Sequence, residues 1–155
     1  MWWSRRGLLV ALAALPGCGF TPAYGPGGAA EGLRGRVAVE APATPQGYAL
    51  RQRLLDRLGG AGSELLLSVD LTQEEGASAI APDGSTTRLR LLGTATWRLE
   101  GPDGAVLGSG AVEGFTAFSA TGSTVASRTA RLDAEARLAV LLADRIVTRL
   151  LALAP

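Results

Sequence analysis

From Arg88 to Leu99 the side chains alternate in character, with Leu92 the one exception. Leu89, Leu91, Gly93, Ala95, Trp97 and Leu99 take one parity; Arg88, Arg90, Thr94, Thr96 and Arg98 take the other. A β-strand turns successive side chains to opposite faces, so this segment has one dry face and one wet face. Strands of an all-parallel sheet are buried on both sides and read as continuous apolar runs. Clean alternation belongs to an antiparallel sheet with one side in water. The chain must therefore supply cover for one face of a sheet and leave the other bare.

The remaining elements fit that frame. Arg36–Glu40 alternates with Val37 and Val39 inward, a short first strand. Thr44 is a good N-cap and Pro45 suits the first helical position; Leu50, Leu54 and Leu58 then recur every four residues until Gly59-Gly60 stops the helix. Leu65–Gln73 alternates as a second strand, and residues 75–84, with Gly76, Pro82, Asp83 and Gly84, read as a loop. Gly101-Pro102-Asp103-Gly104 is a turn joining the third strand to a fourth, Val106–Ala117, whose Gly108, Gly110 and Gly114 mark a bulge or a close approach. A long helix runs from about Ser123 to Leu153, with Val125, Leu132, Ala136, Ala139, Leu142, Ile146 and Leu150 as its apolar stripe. The order β-α-β-β-β-α predicts an α+β, two-layer fold: two helices packed on one face of a small four-stranded, mostly antiparallel sheet.

Composition removes most chemistry. There is no histidine, and a single cysteine, Cys18. Histidine-dependent catalysis is impossible, and Cys/His metal sites lack their ligands. All 15 basic residues are arginine, so no phosphate loop with its lysine exists. Gly108-Ser109-Gly110 is neither a nucleophile elbow nor a dinucleotide fingerprint. Asp70, Glu74 and Glu75 are the only carboxylates that invite an acid/base reading; the plainer reading is solvated residues at a strand end. No catalytic residue, metal or cofactor is expected. Two of the 15 basic residues, Arg5 and Arg6, precede Cys18, so the 14 acidic residues exceed the basic ones by one over 18–155. Nucleic acid would want a basic excess and is not an expected partner.

The N-terminus has secretory architecture: Arg5 and Arg6, an apolar run Gly7–Leu15, then Leu15-Pro16-Gly17-Cys18. The run is too short for a membrane span, which needs about 20 residues. With cysteine at the end it resembles the bacterial lipobox, where the thiol is diacylated, the chain is cut before it and the new amine is acylated. Each buried methylene contributes roughly 0.8 kcal/mol, so several acyl chains on Cys18 hold a domain firmly on a membrane. In that pattern Gly19, rather than Asp, favours delivery to the outer membrane. The expected divisions are a lipoprotein signal peptide at 1–17, a weakly ordered lipidated linker at 18–33 and an α+β domain at 34–155.

Arg88, Arg90 and Arg98 project from one face of the third strand. Guanidinium groups bind phosphate well, so a phosphorylated lipid head or an acidic partner is one reading, and an ordinary solvated face is the other. Cys18-Gly19-Phe20-Thr21-Pro22-Ala23-Tyr24-Gly25 resembles the mature start of lipopolysaccharide-assembly lipoproteins, the LptE family. Ser119-Ala120-Thr121-Gly122-Ser123, Ala126-Ser127 and Asp133-Ala134-Glu135-Ala136-Arg137 resemble its alphaproteobacterial members, and order and length agree along the whole mature chain. The resemblance implies a non-enzymatic outer-membrane lipoprotein, lipid-anchored through Cys18 and facing the periplasm or seated in a barrel lumen. Such a protein plugs and helps assemble the LptD β-barrel and assists lipopolysaccharide insertion into the outer leaflet. Arg88, Arg90 and Arg98 are the candidate lipopolysaccharide contacts. Two other classes stay open: an auxiliary lipoprotein of an ABC-type envelope lipid-transport complex, and a cell-wall hydrolase using the carboxylates.

Overall fold

The computed structural model describes residues 22, 24–80 and 86–153. The predicted signal segment, Cys18 and the predicted turn residues Pro82, Asp83 and Gly84 lie outside the described residues. The elements are β1 (Val37–Glu40), α1 (Pro45–Leu58), β2 (Leu65–Ile80), β3 (Thr86–Glu100), β4 (Val106–Ser119) and α2 (Thr124–Leu153). They form a single sheet in the order β1-β2-β3-β4, with β1 parallel to β2 and the other pairs antiparallel. Both helices pack on one face, which is the α+β two-layer arrangement expected from the sequence.

Local chemistry sets the ends of α1. The Thr44 hydroxyl accepts from the Gly47 N–H at 3.1 Å, and Gly59 closes the helix in the left-handed region at φ 83°. Leu50, Leu54 and Leu58 are buried against the sheet and α2. In β3 the alternation holds: Leu91, Ala95, Trp97 and Leu99 are buried while Arg88, Arg90, Thr96 and Arg98 are exposed.

Three expectations need correction. Residues 75–80 are strand, not loop, because they pair with the start of β3, from Glu75↔Leu91 to Ile80↔Thr86. Ladder hydrogen bonds outweigh the weak strand preference of Gly76 and its alanine neighbours, and the register slips around Ala77–Ile80 absorb the misfit. Second, the described part of the predicted linker folds back in successive turns over Tyr24–Arg36, burying Ala30 and Leu33. Third, Val125, Leu132 and Ala136 are exposed, whereas Ala134, Leu138, Ala139, Leu142, Ile146, Val147 and Leu150 are buried. Val125, Leu132, Ala139 and Ile146 are spaced by seven. A straight helix drifts about 20° per heptad, so three heptads rotate Val125 away from the face that Ile146 buries.

The seat of α2 on the sheet depends on two glycines. Gly93 of β3 and Gly114 of β4 are register partners. A Cβ on Gly93 would stand 2.9 Å from Leu138 Cδ2, and one on Gly114 2.9 Å from Leu141 Cδ2. Together they form a dent into which the leucines of α2 settle. Gly110 lies beneath the Trp97 ring, where a Cβ would be 3.2 Å from Cζ2.

Polar clasps tie α1 to α2. Arg53 binds Asp144 with two hydrogen bonds, Nε–Oδ1 at 2.9 Å and Nη2–Oδ2 at 3.0 Å, and Arg57 Nη1 adds a third at 3.0 Å. The second Arg57 nitrogen donates to the Tyr24 hydroxyl at 2.6 Å. Gln46 and Arg131 both donate to Glu135, the one buried charged residue among those described. The hydrogen bond to Asp144 raises the Arg53 pKa. Its contribution is complete below the ordinary arginine pKa and lost only above it, so this clasp holds through mildly alkaline conditions. Along the outer side of β4, Arg137 and Arg145 reach down from α2 and donate to the backbone carbonyls of Ala117 and Glu113.

Two stability measurements check this account. Gly93→Val overfills the dent and should cost about 1–3 kcal/mol in urea unfolding, while Gly76→Val, with nothing within 4 Å of its Cβ position, should leave the midpoint nearly unchanged. Asp144→Ala should lower the midpoint because it removes the carboxylate that Arg53 and Arg57 share. Asp133→Ala, which loses only the exposed bridge to Arg137, should not.

Candidate functional site

The face of the sheet turned away from the helices carries the candidate contacts. Arg88 and Arg90 stand two residues apart on β3, which places their origins about 7 Å from each other. Their cross-strand neighbours are small: Ala79 and Ser119 flank Arg88, and Gly76 and Ala117 flank Arg90. Both side chains therefore rise from a low floor, and both residues are exposed. Neither makes an ion pair with another described residue.

Arg98 is on the same face but not at the same place. Eight residues separate it from Arg90, about 27 Å along the strand, and its Nε is 2.6 Å from Glu100 Oε1. The three arginines predicted as one set divide into a pair near the far end of the sheet and a neutralised residue near its base.

Next to the arginine pair lies an apolar contact that sequence reasoning missed. Leu92 and Phe115 are register partners and point to the open side, 39% and 63% exposed. The signal was available in parity: Phe115 falls between Gly114 and Thr116, on the opposite face from Val112 and Phe118. It could be used only once the pairing of the glycine-rich strand was known. Glu74 and Glu113 border the apolar pair through their partners Leu92 and Thr94. This half of the face therefore offers two cations, an apolar step and an acidic margin. Such a surface suits an amphiphile with an anionic head and a hydrocarbon body.

The carboxylates do not converge. Asp70 and Glu74 face outward, four residues or about 13 Å apart, beyond the separations used by glycoside hydrolases. Glu75 has the other parity and meets Arg131 of α2 at 3.3 Å. Among the described residues no group of three or more Asp, Glu, His or Cys could hold a metal ion. No described helix is long and apolar enough to cross a membrane.

Comparison with solved structures finds the same fold in a putative lipoprotein of Caulobacter crescentus, at TM-score 0.66 and 23% identity over 80% of this chain and 93% of that one. A minor lipoprotein of Acinetobacter baumannii matches at TM-score 0.60 and 19% identity, over 76% and 91% of the two chains. The rare lipoprotein B of Shewanella oneidensis matches at 0.54 and 15%, over 76% and 92%. No curated protein matches the chain in sequence. These likenesses carry the fold alone. The family model described as LptE, lipopolysaccharide-assembly, matches residues 35–150, which takes in every strand and helix from β1 to nearly the end of α2. The chain belongs to the LptE family of lipopolysaccharide-assembly proteins.

Proposed function

We propose that this protein is an outer-membrane lipoprotein, anchored through acyl chains on Cys18, that sits within an LptD-type β-barrel. There it supports assembly of the barrel and passage of lipopolysaccharide to the outer leaflet. The observation that carries this reading is the bare sheet face. A four-stranded sheet with helices on one side only leaves a flat, largely polar surface that a barrel wall would cover. Arg88 and Arg90 supply paired guanidinium groups for lipid phosphates, and Leu92 with Phe115 supplies contact for the adjoining hydrocarbon. Arg98, tied to Glu100, contributes little to such binding. The role is one of binding and placement, without a chemical step.

Two experiments test it. A tag placed after Pro155 should retrieve a stoichiometric large β-barrel from outer membranes extracted in mild detergent. Recovery of the protein alone, or with inner-membrane transporter subunits, would replace the plug with an auxiliary role in lipid transport. For the contact face, Arg88→Glu combined with Arg90→Glu should weaken lipopolysaccharide binding about tenfold or more, given the usual strength of hydrogen bonds to charged groups. Arg98→Glu should leave it nearly unaltered. Equal binding by the double variant and the wild type would reject the arginine pair as the contact.

A further inference from the structure

The two edges of the sheet are not alike. At β4, Arg137 and Arg145 occupy outward carbonyls. At the opposite edge β1 is only four residues long and pairs with Leu65–Ser68, whereas β2 continues to Ile80. Past Ser68 the outer side of β2 has no strand beside it among the described residues.

The direction of the backbone groups follows from the register. Alternate residues of a strand turn their N–H and C=O to the same side. The Leu65 N–H donates to the Arg36 carbonyl on the β1 side, so the odd-numbered residues of β2 look outward. The rest of the sheet agrees. The Ala120 N–H donates to the Thr87 carbonyl, which turns odd-numbered residues of β3 toward β4 and even-numbered ones toward their even-numbered partners in β2. Leu71, Gln73 and Glu75 therefore present donors and acceptors at an open edge, and no described residue bonds their backbone from that side. The stretch ends where the register slips after Ala77. Leu71–Ala77 is thus a template about 20 Å long. It contains no proline and no arginine to discourage a newcomer. Its one inward-pointing charge, Glu75, is already taken up by Arg131 at 3.3 Å.

The side chains beside this edge decide what fits it. Asp70 and Glu74 lie on the bare face, exposed and without an ion pair to any described residue. Glu40, at the end of β1, is exposed on the same face and equally unpaired. A second copy of this chain, added antiparallel, would bring its own Asp70 and Glu74 to that side of the joint. Like charges across a strand pair are unfavourable, and opposite charges are favourable.

We propose that the outer edge of β2, Leu71–Ala77, docks an extended, basic segment of a partner polypeptide. The segment adds a strand to the sheet through its backbone, and its arginine or lysine side chains lie against Asp70 and Glu74. Neither the anchor on Cys18 nor a surrounding barrel is needed for this, and the bare face with Arg88 and Arg90 stays open beside the added strand.

The test uses the full chain in mild detergent and three labelled peptides of about seven residues, the length of the template. One alternates lysine with threonine, one has glutamate in place of lysine, and one is the lysine peptide with its backbone amides methylated. Fluorescence anisotropy should show the lysine peptide bound about tenfold or more tighter than either of the others. Hydrogen exchange at Leu71, Gln73 and Glu75 should slow when it binds. Asp70→Lys combined with Glu74→Lys changes only exposed side chains and should invert the order of the lysine and glutamate peptides. Failure of the lysine peptide to bind, or equal affinity for lysine and glutamate peptides, overturns the inference. Undiminished binding of the methylated peptide would reduce the contact to charge attraction and overturn it as well, as would a dimer of the free protein joined through these residues.

Discussion

Everything in this fold depends on how closely α2 can approach the sheet. It is a 30-residue helix laid over strands of 14 to 16 residues, and it alone covers β3 and β4, since α1 shields the β1–β2 side. Close approach needs a hollow. The paired Gly93 and Gly114 provide it by omitting the two side chains that would hold the helix off. Once α2 is seated, Ala139, Ala143, Leu142, Ile146 and Val147 are fully buried. Among the described residues no further helix covers the other side of the sheet. The bare face that carries the candidate contacts is thus a direct outcome of where the covering layer ends.

The division between what was legible in the sequence and what was not follows the range of the interactions. Alternation in β3, the Thr44 cap and the Gly59 stop are governed within a few residues, and each appears where its chemistry places it. The extension of β2 to Ile80 is set by partners across the sheet. No property of Gly76, Ala77 or Ala79 announces a strand. The buried line of α2 is set by its straightness and its neighbour, so a seven-residue spacing was an unreliable guide beyond two turns. At the candidate site, Arg88 and Arg90 could be found from parity alone. The separate fate of Arg98 depends on Glu100, and the exposure of Phe115 depends on a register that glycine-rich β4 does not reveal.

Charge in the helical layer is used mainly to join the two helices. Asp144 gathers two arginines of α1, and Glu135 gathers Gln46 and Arg131. Both acids lie on the long helix, whose burial they orient but do not drive. Partly exposed pairs of this sort contribute modestly to stability, yet their geometry fixes the rotation of α1 against α2 more narrowly than leucine contacts could. Arg88 and Arg90 on the open face are used differently. They have short neighbours rather than carboxylate partners, and their charge is directed to solvent.

The two arginines that reach from α2 to the outer side of β4 have a consequence for the company this protein keeps. An edge strand of 14 residues displays a row of backbone donors and acceptors able to recruit any extended chain. Arg137 and Arg145 occupy the carbonyls of Ala117 and Glu113, and a newcomer would have to displace both guanidinium groups before it could add a rung there. This edge is thereby guarded at two of its carbonyls, so that an extended neighbour can touch it without being stitched into the sheet.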